Sequence, residues 1–298
     1  MMPLTTFRSG ISPMSLNRLL YIDLVARALA EDLGRGGDLT TDLVFGPDHL
    51  SSAVFRARES GVLAGLEPAL EAFRQLSGEV VVSDCLADGA KLEPGMVIAR
   101  IAGPTRALLT GERTALNLLS HLSGIATRTR RLVDAVAGTK ASIADTRKTL
   151  PGLRALQKYA VTVGGGRNHR FGLDDAILLK DNHIAACGSL TEAVRRVRTK
   201  IGHTVKIEVE VDTLAQFEEA LSLEPEIIML DNFTPADLIT AVARRDASSP
   251  TQRKILLETS GRITEDTART LAETGVDLIS SGALTHSVTV LDIGLDAE

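Results

Sequence analysis

Beyond residue 140, short apolar runs alternate with amphipathic helical patterns. The runs of β-like composition are Ser142–Asp145, Ala176–Leu179, Val205–Val211, Ile227–Leu230, Ile255–Leu257 and Val276–Ile279. The helical patterns that separate several of them are Leu190–Lys200, Leu214–Leu221, Pro235–Arg244 and Glu265–Thr274. Strands that alternate with helices indicate βα units and a parallel sheet. Six such units predict a barrel-like sheet filled by apolar side chains, and an open doubly wound sheet is the alternative.

The first part of the chain has a more mixed pattern. Its predicted elements are an amphipathic helix at Leu16–Leu33, strands at Ser52–Arg58 and Met96–Ile101, and a long helix at Gly111–Val136. Thr110 is the predicted N-cap of the long helix, because a threonine hydroxyl can accept from the first free N–H groups. The segment GRGGDLTTD, which follows the first helix, is a predicted loop by composition. These patterns indicate a small α+β domain.

Composition and charge exclude several classes of protein. The formal net charge is −5, only 3% of residues are aromatic and there is no Trp, which argues against a nucleic-acid binder. Cys85 and Cys187 form no CxxC pair, which favours a reducing compartment. The first twenty residues lack the pattern of a signal peptide, and no apolar stretch approaches about 18 residues. We therefore expect a cytoplasmic protein with no membrane partner.

Every predicted strand of the second half carries polar residues or runs directly into them. They are Asp145 to Lys148, Lys180 to His183, Glu208 and Glu210, Asp231 and Asn232, Glu258 to Gly261, and Ser280 to Gly282. In (β/α) barrels the loops after the strands converge at one end, where active sites lie. Six polar strand ends in succession therefore predict a single functional site.

A basic cluster dominates this predicted site. Between Lys140 and Lys180 there are eight Lys or Arg and three Asp, a local net charge of +5. The cluster is formed by Arg147, Lys148, His169, Arg170 and Lys180. Arginine forks bind carboxylates and phosphates at two points, so the cluster indicates a small polyanionic substrate. The alternative is a solvated basic face.

Two acidic residues and two glycine loops complete the pattern. Glu210 and Asp231 could share a magnesium ion, which proteins typically hold with one or two carboxylates and substrate phosphates. Alternatively, Glu208 and Glu210 point into a polar interior and pair with Lys206 or Lys180. Ser260-Gly261 and Ser281-Gly282 are candidate phosphate loops after the last two strands. No zinc-binding spacing or GxSxG motif is present.

Seven sequence blocks resemble those of the quinolinate phosphoribosyltransferase family. They are GERTALN, ADTRKT, the run from Gly164 to His183, IEVEVDT, MLDNF, LETSG and SGALTHS. The resemblance implies an N-terminal α/β sandwich over residues 1–117 and an incomplete (β/α) barrel over 118–285, with residues 286–298 returning to the first domain. It also implies a homodimer, or a multiple of dimers, with shared active sites.

The resemblance implies a reaction as well. The phosphoribosyl group of phosphoribosyl pyrophosphate would pass to quinolinate with magnesium, giving nicotinate mononucleotide, CO2 and pyrophosphate for NAD synthesis. The remaining hypotheses are a phosphoribosyltransferase for another aromatic acid, an aldolase-type barrel with a Schiff base on Lys180, and a non-enzymatic anion-binding protein.

By the same resemblance each candidate residue has an expected role. Arg113 would reach across the dimer to a quinolinate carboxylate, while Arg147, His169, Arg170 and Lys180 would line the quinolinate pocket. Lys148 would touch both substrates, and Glu210 and Asp231 would serve the ribose and magnesium. The 5-phosphate would be surrounded by Ser260, Gly261, Gly282 and His286. Further substrate contacts are expected from Thr146, Arg262, Ser281 and Ala283, and the expected catalytic residues are Lys148, Lys180, Glu210 and Asp231.

Overall fold

The computed structural model describes residues 16–248 and 255–298. The first fifteen residues, which matter most for the expectation that no signal peptide is present, lie outside the described residues. Arg18–Leu20 form a short 3-10 turn before the first helix. Within the described ranges no helix is both long and apolar enough to cross a membrane.

Helices and strands alternate along most of the described chain. The helices are α1 (Ile22–Leu33), α2 (Leu39–Val44), α3 (Leu66–Leu76), α4 (Thr105–Ala135), α5 (Arg154–Val163), α6 (Asp181–Cys187), α7 (Leu190–Arg198), α8 (Leu214–Ser222), α9 (Pro235–Ser248), α10 (Glu265–Glu273) and α11 (Ala283–His286). The strands are β1 (Leu50–Ala57), β2 (Gly61–Val62), β3 (Val81–Ser83), β4 (Lys91–Leu92), β5 (Val97–Pro104), β6 (Ser142–Ala144), β7 (Ile177–Leu179), β8 (Ile207–Val211), β9 (Ile227–Asp231), β10 (Leu256–Ser260), β11 (Leu278–Ser280) and β12 (Ile293–Ala297).

An antiparallel sheet forms the N-terminal layer, in the order β12-β1-β5-β3. Its edge strand β12 comes from the end of the chain, and Ala53 pairs with Ala297. Helices α3 and α4 pack beside this sheet, where Phe55 and Phe73 meet edge to face at 5.9 Å between ring centroids. Gly111 permits this packing, because a Cβ there would lie 2.8 Å from the Phe73 ring. The last strand, β12, therefore attaches the C-terminal end of the chain to the N-terminal sheet.

The second sheet has six parallel strands in the order β6-β11-β10-β9-β8-β7. No ladder among the described residues joins the edge strands β6 and β7, and a single bridge from Ala144 to Arg167 lies beside β6 instead. In a flat sheet β6 and β8 would be about 19 Å apart, at about 4.8 Å per strand. His169, two residues after that bridge, nevertheless lies 2.9 Å from Glu208 of β8. The sheet is therefore curled, which confirms the predicted incomplete barrel.

Several predicted boundaries differ from the structure. Helix α4 begins at Thr105, directly after Pro104, so Thr110 lies inside the helix and its prediction as the N-cap is wrong. The Thr110 hydroxyl instead donates to Asp38 at 2.9 Å. The predicted loop GRGGDLTTD contains the start of α2, where Asp38 accepts from the Thr41 N–H at 3.0 Å. The proposed domain boundary at 117 and 118 falls within α4.

Candidate active site

A cavity of about 350 Å³ lies at the C-terminal ends of the barrel strands. It is lined by Thr146, Arg147, Lys148, His169, Arg170, Leu178, Lys180, Glu210, Met229, Asp231, Ser260 and Ser280. The structure thus brings together all five members of the predicted basic cluster and both predicted magnesium ligands. Four Lys or Arg face two carboxylates, so the cavity favours anions.

The register of β8 and β9 places the two acidic residues on one face. Glu210 pairs with Met229, and Asp231 lies two residues beyond Met229, so both carboxylates project to the same side of the sheet. Lys180 forms an ion pair with Glu210. The side-chain amide of Asn232 donates to Asp231 at 2.7 Å. The pairing of Glu210 with Lys180 agrees with the alternative interpretation of Glu210, and a cation at this point would have to displace the ammonium group.

Beneath the cavity lies a buried cluster of His169, Glu208 and Glu258. His169 Nε2 is 2.9 Å from Glu208 and 3.7 Å from Glu258. His169 Nδ1 accepts the Arg170 N–H at 2.7 Å, so the neutral ring carries its proton on Nε2, towards Glu208. Potential ligand atoms of the three residues lie within 4.8 Å of one another, although the Glu208 contact has the length of a hydrogen bond. The three side chains therefore form a cluster in which His169 and the two carboxyl groups share protons.

Burial and neighbouring charges shift the pKa values of this cluster and of the nearby Asp145. Burial and the neighbouring Glu208 carboxylate raise the pKa of Glu258 to about 7. Burial opposes the charged form of His169, but the hydrogen bond and charge of Glu208 outweigh it and raise the pKa of His169. Next to β6, burial raises the pKa of Asp145 to about 6 despite the nearby Lys158.

These shifts predict that the free protein loses stability as pH rises. Folded Glu258 and Asp145 hold protons that the unfolded chain releases, and the stabilisation of protonated His169 is also lost as pH rises through its folded pKa. The two carboxyl groups lose this stabilising effect by about pH 7, so we expect the free energy of unfolding to fall by on the order of 1–3 kcal/mol between about pH 5 and pH 7. Urea denaturation at both pH values measures it, and Glu258→Gln should flatten the slope. An unchanged slope in that variant would contradict the assignment.

Of the two candidate phosphate loops, Ser260 lines the cavity, whereas Gly261, Ser281 and Gly282 are not part of its wall. A Cβ on Gly282 would lie 2.6 Å from Lys148 Cδ and 3.2 Å from the His286 ring, so Gly282 leaves room for the Lys148 side chain. The N–H of the buried Ser281 donates to Ala144 at 3.0 Å and is already used. Two further predicted residues, Gly261 and Arg262, line an adjacent groove with Ser260. Ala283 begins α11, next to Gly282.

Arg113 is separate from the other predicted residues. It is exposed on α4 and does not line the cavity of its own chain. Large apolar side chains are exposed on the neighbouring α2, the start of β1 and α4; we call Leu39, Leu43, Val44, Leu50 and Leu109 the apolar patch. Arg106 holds α2 against α4 by donating to the Phe45 carbonyl at 2.9 Å.

Two residues of the cavity wall, Leu178 and Met229, were not predicted to belong to the site, and Ser280 was predicted only as a polar strand end without a role. Leu178 and Met229 precede Lys180 and Asp231 by two positions, so they share a face of the strand with them. The alternation of side chains along each strand could therefore have predicted that Leu178 and Met229 face the cavity.

Comparisons with known proteins agree along the chain. The N-terminal domain model of quinolinate phosphoribosyl transferase matches residues 38–123, and the C-terminal domain model matches 125–296. The nicotinate-nucleotide pyrophosphorylase [carboxylating] of Mycobacterium leprae is 50% identical over 276 residues, 92% of this chain and 96% of that protein. A probable Bacillus subtilis counterpart is 45% identical over 281 residues, 94% of each chain.

Solved structures show the same likeness. The nicotinate-nucleotide pyrophosphorylase of Francisella tularensis superposes with a TM-score of 0.89 at 36% identity, covering 97% of this chain and 100% of that one. The Ehrlichia chaffeensis enzyme gives a TM-score of 0.86 at 38% identity, covering 93% and 98%. The chain therefore belongs to the quinolinate phosphoribosyltransferase family.

Proposed function

We propose that the cavity carries out the reaction for which the family is named. The phosphoribosyl group passes from phosphoribosyl pyrophosphate to the pyridine nitrogen of quinolinate, and the product loses CO2 to give nicotinate mononucleotide for NAD synthesis. The observation that carries this proposal is the set of four cations facing two carboxylates at the barrel mouth. Family membership favours this reaction over the aldolase-type and non-enzymatic hypotheses.

The quinolinate half of the site rests on the basic residues. Arg147 and Arg170 lie close enough that burial and the charge of Arg147 lower the pKa of Arg170. Arg147 Nε is buried without a hydrogen-bond partner among the described residues. Two neighbouring guanidinium groups that lack full compensation favour a dianionic ligand. We assign the two carboxylates of quinolinate to these arginines, with Lys180 and His169 at the edge of the ligand.

The phosphoribosyl half rests on Glu210 and Asp231. Their carboxylates share one face of neighbouring strands, which fits a magnesium ion held jointly with substrate phosphates. When bound, magnesium would neutralise charge on the departing pyrophosphate. The two carboxylates orient the ribose, and the loops around Ser260 and Gly282 face the 5-phosphate. The protein's contribution to the substitution at C1 is therefore chiefly positioning and charge stabilisation.

Loss of CO2 follows from the chemistry of the ribosylated ring. Once the nitrogen bears the ribose, its positive charge stabilises the electron pair that the breaking C–C bond leaves on the neighbouring ring carbon, and that carbon then takes up a proton from solvent. No protein base has to remove a proton in this step. Lys148 or Lys180 assists by neutralising carboxylate or pyrophosphate charge.

We further propose that two copies of the chain form a dimer and complete each other's sites. The exposed apolar patch around α2 and α4 supports this, because large exposed apolar surfaces mark association sites. Arg113 lies on the same helix as part of that patch and outside its own cavity. A cytoplasmic location is part of the proposal and is supported by the two free cysteines, Cys85 and Cys187.

An assay for nicotinate mononucleotide from quinolinate, phosphoribosyl pyrophosphate and magnesium tests the function. Nicotinate, which lacks the 2-carboxylate, should be used far less efficiently. Leaving charged donors unpaired costs about 1–3 kcal/mol, or about 5- to 150-fold in kcat/KM. Comparable kcat/KM values for the two acids would contradict the decarboxylating assignment.

A further inference from the structure

A buried ion pair lies just outside the cavity wall. Asp145 directly follows β6, and Lys158 lies in the middle of α5. Their side chains form an ion pair that is 0% and 1% exposed. Neither residue lines the cavity. Because removing two charges from water is costly, a pair of this kind persists only where further hydrogen bonds compensate it.

Both members of this pair bind the backbone of one residue, His169. Asp145 Oδ1 accepts the His169 N–H at 2.9 Å, and Lys158 Nζ donates to the His169 carbonyl at 3.0 Å. The side-chain amide nitrogen of Asn168, oriented to satisfy its neighbours, donates to Asp145 Oδ2 at 2.6 Å and to the Lys158 carbonyl at 2.9 Å. The Asp145 N–H also donates to the Arg167 carbonyl at 3.0 Å. The segment is thus held from both sides.

The held segment and the pair itself adjoin the two basic loops. Asp145 is followed by Thr146, Arg147 and Lys148, and His169 is followed by Arg170. The charge of Arg147 acts on Arg170 across the gap between these loops. The loops therefore repel each other in the free protein, and the hydrogen bonds of Asp145 and Lys158 to the His169 backbone hold them together against that repulsion.

We propose that Asp145 and Lys158 are positioning residues that hold the loop of Thr146 to Lys148 against the segment of His169 and Arg170, and so preform the quinolinate pocket. The proposal rests on the proposed function, because it assigns to the pair the geometry with which that substrate is recognised. Displacement of a binding group by about 1 Å can lower activity by about 100-fold. The pair would therefore act on quinolinate far more than on phosphoribosyl pyrophosphate.

The test compares single and double variants in steady-state kinetics and thermal melting. Asp145→Asn and Lys158→Met each leave one buried charge without its partner and should lower the melting temperature. The double variant Asp145→Asn/Lys158→Met removes both charges and should recover much of that stability. Its KM for quinolinate should nevertheless stay about 10- to 100-fold above that of the unchanged protein, with the KM for phosphoribosyl pyrophosphate within about twofold.

Two further variants keep the test decisive. Arg245→Met breaks another buried ion pair, with Asp277 at the opposite end of the barrel strands, and should lower stability without changing the KM for quinolinate. Asn168→Ala changes an exposed residue and should raise that KM at least about threefold even if the other variants fail to fold. A KM for quinolinate unchanged in Asn168→Ala, or restored in the double variant, would show that the pair is only structural.

The outcome also separates this proposal from the proposed function. If the unchanged protein forms no nicotinate mononucleotide, the proposed function is wrong. If it is active and the KM values of the variants do not move, only the positioning role is wrong.

Discussion

Replacing Arg170 with alanine is expected to weaken quinolinate binding strongly while phosphoribosyl pyrophosphate binding changes little. Arg170 lines the cavity, and its guanidinium is held by a hydrogen bond to the Ala176 carbonyl at 3.1 Å. Removing one partner of a desolvated charge pair costs about 2–5 kcal/mol, so quinolinate affinity should fall about 30-fold or more. Calorimetric titration with each substrate measures both affinities. Arg167→Ala is the matched control, since Arg167 is exposed on the same segment and does not line the cavity.

Asp231→Asn should have the reverse effect. The substitution keeps the shape of the side chain but removes a charge that a hard cation needs. The variant should lose turnover and require more magnesium, and quinolinate binding without the second substrate should change little. If Asp231→Asn instead destroyed quinolinate binding and spared phosphoribosyl pyrophosphate, the division of the site into two halves would be wrong.

The ion pair between Lys180 and Glu210 links these two halves. In the free protein the Lys180 ammonium group forms an ion pair with Glu210, so the carboxylate is neutralised before the substrates bind. A cation shared by Glu210 and Asp231 would free Lys180 to turn towards a quinolinate carboxylate. The two interpretations of Glu210, as a partner of Lys180 and as a magnesium ligand, would then describe the site before and after the substrates bind. Magnesium titration of Lys180→Met should then show tighter binding than in the unchanged protein.

The strand ends of the barrel were predictable because each strand is short, apolar and followed at once by polar residues. Parallel strands bring such ends together whatever their exact register, so Lys180, Glu210 and Asp231 could be grouped from the sequence. Strand boundaries were less certain, since apolar periodicity fades where Glu258 and Thr259 continue β10. The start of α4 was missed because Pro104 sets it by backbone geometry, without a capping side chain.

Contacts across the barrel could not be predicted from the sequence. His169 meets Glu208 and Glu258 only because the sheet curls, and no local pattern specifies how far it curls. Glu258 looked like one more strand-end acid, whereas it points inward and is 1% exposed. Lys158 was likewise one of eight basic residues in its region, and only its depth shows that it binds the backbone rather than a substrate.

Mixing inactive Arg113→Ala protein with inactive Lys148→Ala protein is expected to restore activity. Each Arg113→Ala subunit has an intact Lys148 in its own cavity and would receive Arg113 from its Lys148→Ala partner. Random exchange in a twofold dimer makes half of the dimers mixed, each with one complete site, so about one quarter of the unchanged activity should return. The rate of nicotinate mononucleotide formation after unfolding and refolding the mixture together measures it.

Activity should return only if Arg113 acts in the cavity of the partner subunit, so the mixture distinguishes this arrangement from one in which Arg113 acts in its own cavity. If Arg113 served its own cavity, the mixed dimer would have one site without Arg113 and one without Lys148, and both would be inactive. The exposed position of Arg113 on α4, outside the cavity of its own chain, favours the shared arrangement. Leu43→Glu, in the apolar patch, should weaken the dimer and lower activity at low protein concentration. No recovery despite demonstrated subunit exchange would mean that each chain completes its own site.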